Sequence, residues 1–185
     1  MKSVLVIVVS TFLIFSAGYL LDSSSIPTEQ TQDTDRDELV DIEIKVPDFK
    51  YTLLDGTVKQ ISELKGKIII LNFWASWCGP CKEEFPEMLN IVKENKDVVL
   101  VAISNDSSKK DVLKFIKKMK KENIDLNQDR SLVAHDIYKE VSSELFNVLR
   151  LPETFIIDRN FKIVKKVIGS HYWVNKEMAK FIKGL

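Results

Sequence analysis

Two cysteines separated by a glycine and a proline, at the junction of an apolar run and an amphipathic one, constrain this chain more than any other feature. They close the segment Asn72-Phe73-Trp74-Ala75-Ser76-Trp77-Cys78-Gly79-Pro80-Cys81, and the chain has no other cysteine. A strand that ends in a turn and feeds a helix puts the first sulfur at the helix N-terminus, where unpaired backbone N–H groups and the macrodipole favour an anion. The short spacing lets the two sulfurs meet in a small ring, and Pro80 suits an early helical position because it has no N–H to leave unpaired. Such a pair cycles between dithiol and disulfide. The competing readings are a purely structural bridge or half of a zinc site. Zinc takes about four ligands, and His135 and His171 stand far from the pair in sequence.

Lys plus Arg and Asp plus Glu number 27 each, so the balance of charge offers no pull towards nucleic acid. The placement is uneven. Between Asp22 and Glu43 the acids Asp22, Glu29, Asp33, Asp35, Asp37, Glu38, Asp41 and Glu43 face only Arg36, whereas Lys109 to Lys121 reverses the bias. Ahead of the acidic stretch, Met1-Lys2-Ser3 precedes an apolar run from Val4 to Leu21. A helix of that length rises about 27 Å against a hydrocarbon core of roughly 30 Å. Lys2 before the run and acids after it predict that the remainder lies outside the membrane. Residues 1–21 therefore read as an uncleaved signal-anchor or, since Ser16-Ala17-Gly18 offers small residues to a peptidase, as a cleaved signal peptide. No cysteine follows the run to carry a lipid there. Either reading exports the domain, on the extracytoplasmic side of the cell membrane. There a dithiol that acts as a reductant needs recharging from a membrane-bound thiol electron donor.

Residues 22–45, rich in Ser, Thr, Gln and acids, predict a flexible linker with an end-to-end distance of about 26 Å. An acidic interaction tail is the alternative. From residue 46 to residue 185 the pattern is that of one α/β domain of about 140 residues, large enough for a proper core. Phe49 to Leu54 and Thr57 to Gln60 read as a hairpin around Asp55-Gly56. Ile68-Ile69-Ile70-Leu71 and Val98 to Ile103 are runs typical of strands covered on both faces, and with the helix that starts at the cysteines they make a βαβ unit. Val112, Leu113, Ile116 and Met119 predict a helix from Lys109 to Glu122. Its Lys-rich face is either simply solvated or a docking surface for acidic partners or lipid headgroups. Ser131 to Val148 is predicted as a further helix. Thr154 to Ile157 and Lys162 to Val167 form a second hairpin, and Met178, Phe181, Ile182 and Leu185 give a last helix its apolar stripe.

Two residues outside the pair bear on its chemistry. Glu84 lies at the border of the stripe formed by Cys81, Phe85, Met88, Leu89 and Val92, while Glu83 and Glu87 are predicted to point away. A carboxylate half-buried beside Cys81 has a raised pKa and can accept or return a thiol proton; the plainer reading is a first-turn acid that complements the helix dipole. Pro152, in Leu151-Pro152-Glu153-Thr154-Phe155, marks on its own only the start of a strand. Trp74 is expected in the core and Trp77, next to Cys78, on the substrate surface. Pro86 is expected to kink the helix.

The segments Asn72 to Cys81, Glu84-Phe85-Pro86 and Leu151 to Asp158 together resemble the thioredoxin superfamily and, within it, the membrane-anchored TlpA/ResA/CcmG-type thiol-disulfide oxidoreductases. The resemblance covers about residues 46–185. It implies a thioredoxin fold, a central mixed sheet flanked by helices, with an added N-terminal β-hairpin and a preceding hydrophobic helix. It also implies a cis peptide at Pro152 beside the cysteines, an exposed attacking Cys78, a resolving Cys81 and no cofactor beyond the Cys78–Cys81 disulfide. Trp77, Gly79, Pro80, Leu151 and Pro152 would meet the substrate, a disulfide-containing exported protein, with the haem-binding cysteines of apocytochrome c as a candidate client. Glu153 resembles the cytochrome-maturation branch. Asn72 stands where ordinary thioredoxins bury an aspartate, which gives Glu84 more weight as a proton carrier. Gly79-Pro80 matches the thioredoxin centre, with its potential of about −270 mV, so the expected direction is reduction. The rival functions are a thiol peroxidase, in which Ser76 would assist Cys78, and a Cu(I) carrier using Cys78, Cys81 and His171.

Overall fold

Two seven-residue stretches with every side chain buried, Ile68–Trp74 and Val98–Ser104, lie side by side in parallel. The computed structural model describes residues 39–40 and 44–185, all within one unit running from Arg36 to Leu185. In chain order its elements are β1 (Leu39–Val40), β2 (Ile44–Lys45), β3 (Lys50–Thr52), β4 (Val58–Gln60), a 3-10 turn at Ile61–Leu64, β5 (Ile68–Trp74), α1 (Gly79–Glu94), β6 (Val98–Ser104) and α2 (Lys109–Lys121). Then come β7 (Ser131–His135), a π-helical turn at Glu140–Leu145, β8 (Glu153–Ile157), β9 (Lys162–Ile168) and α3 (Lys176–Gly184).

The main sheet runs β1-β9-β8-β5-β6-β7, with β2 also paired to β9. β5, β6 and β7 are parallel, while β8 is antiparallel to β5 and β9 to β8. Alternate residues of the central strands feed two cores, as the two-residue strand period requires. Ile68, Ile70, Trp74, Val98, Leu100 and Ala102 join Phe85, Met88, Phe115, Met119 and Ile182 from the three helices. Ile69, Leu71, Phe73, Val99, Val101 and Ile103 face Phe49, Tyr51, Ile61, Phe146 and Phe161 on the other side. Strand order explains why both α1 and α2 lie on one face: β5, β6 and β7 follow one another in a single direction, so right-handed crossovers return on the same side.

The predicted N-terminal hairpin is present as a separate two-stranded sheet of β3 and β4. Gly56 takes φ +93° in its turn, where the Gly56 N–H donates to Leu53 O (3.0 Å) and the Leu53 N–H to Thr57 O (2.9 Å). Such a φ is open to glycine at little cost. The βαβ unit, the helix from Lys109, the hairpin of β8 and β9 and the last helix all lie where the sequence predicts them.

Two expectations fail. The helix predicted over Ser131 to Val148 is instead strand β7 followed by the short π-helical turn. Ser131 to His135 gain a full set of ladder partners from Leu100 to Ser104, and this pairing outweighs a helical periodicity that the segment shares with many sequences. Within the stretch predicted as a linker up to residue 45, Leu39–Val40 and Ile44–Lys45 are instead strands paired with β9. The predicted apolar segment 1–21, the chain up to residue 38 and residues 41–43 lie outside the described residues. None of the described helices is long and apolar enough to cross a membrane.

Tyr51 offers a direct test of the second core. It is buried on β3, and its hydroxyl finds no hydrogen-bond partner among the described residues. Burial, with the charge of Glu63 adding to it, pushes its pKa up from 10.0 to about 12. The neutral phenol is thus the form the fold accepts. Stability held below the unfolded value drains away as pH rises through the folded one. Tyr51→Phe is therefore expected to be at least as stable as the parent at pH 7. The gap should widen between pH 10 and 12, measured by urea denaturation at each pH; a gap that stays constant across that window contradicts the assignment.

Candidate active site

α1 begins at the cysteines for the reason its sequence indicates. Cys78 is the N-cap, with an extended backbone, and Gly79 and Pro80 open the first turn. The Cys81 N–H donates to Cys78 Sγ (3.2 Å), so the sulfur takes up one of the amides that a helix start leaves unpaired. The two cysteines are joined as a disulfide with Cα atoms 5.4 Å apart. Cys81 is 1 % exposed and packs in the helix-side core, and Cys78 is 6 % exposed. The expectation of a freely exposed Cys78 needs correcting: in the disulfide state most of the residue is covered. It nevertheless lines a surface groove of about 370 Å³ together with Ser76, Trp77, Lys82 and Phe115.

Trp77 is 73 % exposed. Trp74 is wholly buried, edge-to-face against Phe85 (5.1 Å between centroids) and close to Phe115 (4.9 Å), in the core where the sequence puts it. Gly79 and Pro80 are exposed. α1 continues through Pro86. The Leu151-Pro152 peptide is cis, as the resemblance implies. Topology brings it to the site: Phe73 on β5 pairs with Glu153 on β8, so Pro152 arrives at the end of the sheet where β5 runs out towards the cysteines. Pro152 is buried, and Leu151 packs partly against both cores. Glu153 is buried and holds Lys166 at 2.7 Å, an ion pair that ties β8 to β9. Asn72, also buried, donates from Nδ2 to Thr154 Oγ1 (2.9 Å) across the β5–β8 pairing.

Glu84 is 4 % exposed, deeper than the half-burial the sequence indicates, and accepts the His171 backbone N–H at 2.6 Å. Glu87 does not point away. Its Oε2 accepts the Trp173 N–H at 2.7 Å, because the loop after β9 crosses this face of α1. That loop starts at Gly169, whose N–H donates to Pro152 O at 2.9 Å, so it connects the cis-proline turn to α1. A hollow of about 270 Å³ lies between Pro80, Glu83, Glu84 and this loop. Among the described residues no group of three or more His, Cys, Asp or Glu is disposed to hold a metal ion, so Cys78, Cys81 and His171 do not form the cluster the copper alternative needs.

Sequence reasoning missed Asp106. Its buried carboxylate accepts the Ser76 N–H (2.8 Å), the Ser76 Oγ–H (2.6 Å) and the Ser104 Oγ–H (2.7 Å). The Asp106 carbonyl lies 2.7 Å from His135 Nε2, so that nitrogen carries the proton. His135 is accordingly on β7, not in the helix predicted over Ser131 to Val148, and tied to this network. The one sequence signal was an aspartate just beyond the end of an apolar strand, where a turn acid is the ordinary reading. Asp106 holds the turn that presents Cys78, and it engages the Ser76 hydroxyl that a peroxidase would direct at the sulfur. Asp106→Asn keeps the shape but removes the charged acceptor, at a cost of about 2 kcal/mol in a buried network. It is expected to speed hydrogen exchange at the Ser76 amide and to move the pH profile of Cys78 alkylation in the reduced protein. A fall in melting temperature with both of those unchanged would leave Asp106 a stabilising residue only.

The comparisons agree with the geometry. Residues 42–166 match the AhpC/TSA family. A thiol-disulfide oxidoreductase ResA of Bacillus cereus is 34 % identical over 134 residues, covering 71 % of this chain and 72 % of the relative. A Chlorobium tepidum structure assigned as the thiol:disulfide interchange protein DsbE superposes with a TM-score of 0.68 and 29 % identity, over 78 % of this chain and 97 % of that one. The exposed lipoprotein thioredoxin Etrx1 of Streptococcus pneumoniae gives 0.61 and 27 %, over 75 % and 100 %. A helix-capping Cys78–Cys81 disulfide, a cis-proline peptide at the same end of the sheet and these relatives together make the chain a protein-disulfide oxidoreductase that belongs to the AhpC/TSA family, among its thioredoxin-like members of the ResA and DsbE type.

Proposed function

We propose that this oxidoreductase works as a reductant of disulfides in exported proteins, held at the extracytoplasmic side of the membrane by residues 4–21. The observation that carries the reading is the Cys78–Cys81 disulfide capping α1 across Gly79 and Pro80. The capping N–H and the helix dipole favour a thiolate on Cys78 once the bond is reduced, and Lys82 on the same groove adds a positive charge. The Cys78 thiolate attacks one sulfur of a client disulfide; the client S–S bond breaks and the other client sulfur leaves as a thiolate. Cys81, having lost its proton, then attacks Cys78 Sγ and releases the second client thiolate. Two electrons and the Cys81 proton pass to the client, solvent supplies the second proton when both client sulfurs end as thiols, and the protein is left as the disulfide. A membrane thiol donor restores the dithiol by the same exchange in reverse.

Glu84, three residues beyond Cys81 on α1 and buried, is the group we assign to carry the Cys81 proton. Leu151, partly exposed ahead of the cis-proline peptide, is the residue we assign to receive the client segment through its backbone, with Pro152 fixing the turn and exposed Trp77 as an apolar contact. The haem-binding cysteines of apocytochrome c are the client class we assign, on the resemblance carried by Asn72 to Cys81 and Leu151 to Asp158, and the Streptococcus pneumoniae relative, an exposed lipoprotein, supports an extracytoplasmic site.

Cys81→Ser is expected to strand clients on Cys78 as mixed disulfides, seen as adducts in non-reducing electrophoresis that dithiothreitol releases and Cys78→Ser abolishes. Recovery of no adduct from cells making the Cys81→Ser protein at normal levels would defeat the reductase reading. Glu84→Gln is expected to shift the pH dependence of insulin-disulfide reduction while leaving the protein folded. An unchanged pH profile would take Glu84 out of the mechanism.

A further inference from the structure

The groove that reaches Cys78 has a basic excess, three lysines to one aspartate. Lys82 at the start of α1 and Lys114 and Lys118 on α2 line it beside Trp77 and Phe115, and Asp111 is the one acid among its lining residues. Lys82 is partly neutralised by Glu122 at 2.9 Å, but Lys114 and Lys118 are exposed and make no ion pair among the described residues. On the Lys-rich face of α2, a spacing of four residues stacks Lys114 and Lys118 along the groove wall. Across the Gly79-Pro80 turn the sign reverses, since Glu83, Glu84 and Glu87 line the hollow on that side. Charges of one sign along a cleft concentrate ligands of the other and set the direction in which they approach.

We infer that the groove between α1 and α2 selects client segments that carry acidic residues on one flank of the reacting cysteine, laid over Lys114 and Lys118 with that cysteine at Cys78. Phe115 and the exposed face of Trp77 supply the apolar floor against which such a segment packs. This rests on the reductase reading and names its substrate class.

The test uses the full-length reduced protein in a nonionic detergent and two synthetic peptides with the same internal disulfide. One peptide is flanked by four acidic residues and the other by four lysines. At low ionic strength the acidic peptide should be reduced about tenfold faster, and the ratio should fall towards one as salt brings the Debye length down to about 3 Å. Lys114→Glu combined with Lys118→Glu should invert the ratio, and Lys114→Arg combined with Lys118→Arg should keep it. Because each variant is judged by its own ratio, a general loss of activity cannot imitate the result. A wild-type ratio near one at low salt, or a preference that survives the double charge reversal, overturns the inference and leaves the reductase reading standing. Failure to reduce either peptide overturns both.

Discussion

Strand β5 is the constraint on which the site depends. It is buried on both faces and bonded on both edges, to parallel β6 and to antiparallel β8. A strand so enclosed cannot shift register by one residue without sending its whole apolar set to the wrong core. Its C-terminal end is therefore a fixed point, and the turn that follows delivers Cys78 to the start of α1. The antiparallel partner fixes a second point at the same end, where the chain passes through Pro152 into β8. Two segments far apart in sequence thus meet because one strand holds both.

The surroundings of the cysteines are assembled from groups that do not react. Asp106 holds Ser76, the Gly169 to Trp173 loop is fastened to Pro152, Glu84 and Glu87, and Arg130 Nη1 collects the carbonyls of Val92 (2.7 Å) and Asn95 (2.6 Å) at the far end of α1. Helix α1 is in this way restrained at both ends and along one side. A sulfur at its N-terminus keeps a fixed relation to the helix dipole and to the charges that line the groove, which is what pre-organised chemistry requires. The basic wall of α2 and the acidic flank of α1 divide that environment into two halves of opposite sign.

Much of this was legible beforehand wherever chemistry and local period agreed. Apolar runs announced β5 and β6, Asp55-Gly56 announced its hairpin, and Cys78-Gly79-Pro80-Cys81 announced both the helix start and the redox pair. Failures came where a residue's role depends on a distant partner. Ser131 to His135 became a strand because β6 had an open edge to fill. Glu87 turned inward because a loop from beyond β9 supplies an N–H, and Asp106 was overlooked because nothing near it in sequence marks it as an acceptor for Ser76.

What this sequence determined by itself is a thiol pair placed at a helix start, where a thiolate is favoured and disulfide exchange is the chemistry best served, and the central strands, whose apolar runs cannot remain in water. What only the tertiary structure decided is which groups surround the sulfurs: how far Cys78 is covered, which carboxylates face α1, and that Lys114 and Lys118 stand on the wall of its groove. Local pattern reports how each segment buries its own surface. Placement of polar and charged groups is settled by hydrogen bonds and fields between segments, and these exist only once the sheet has brought the segments together.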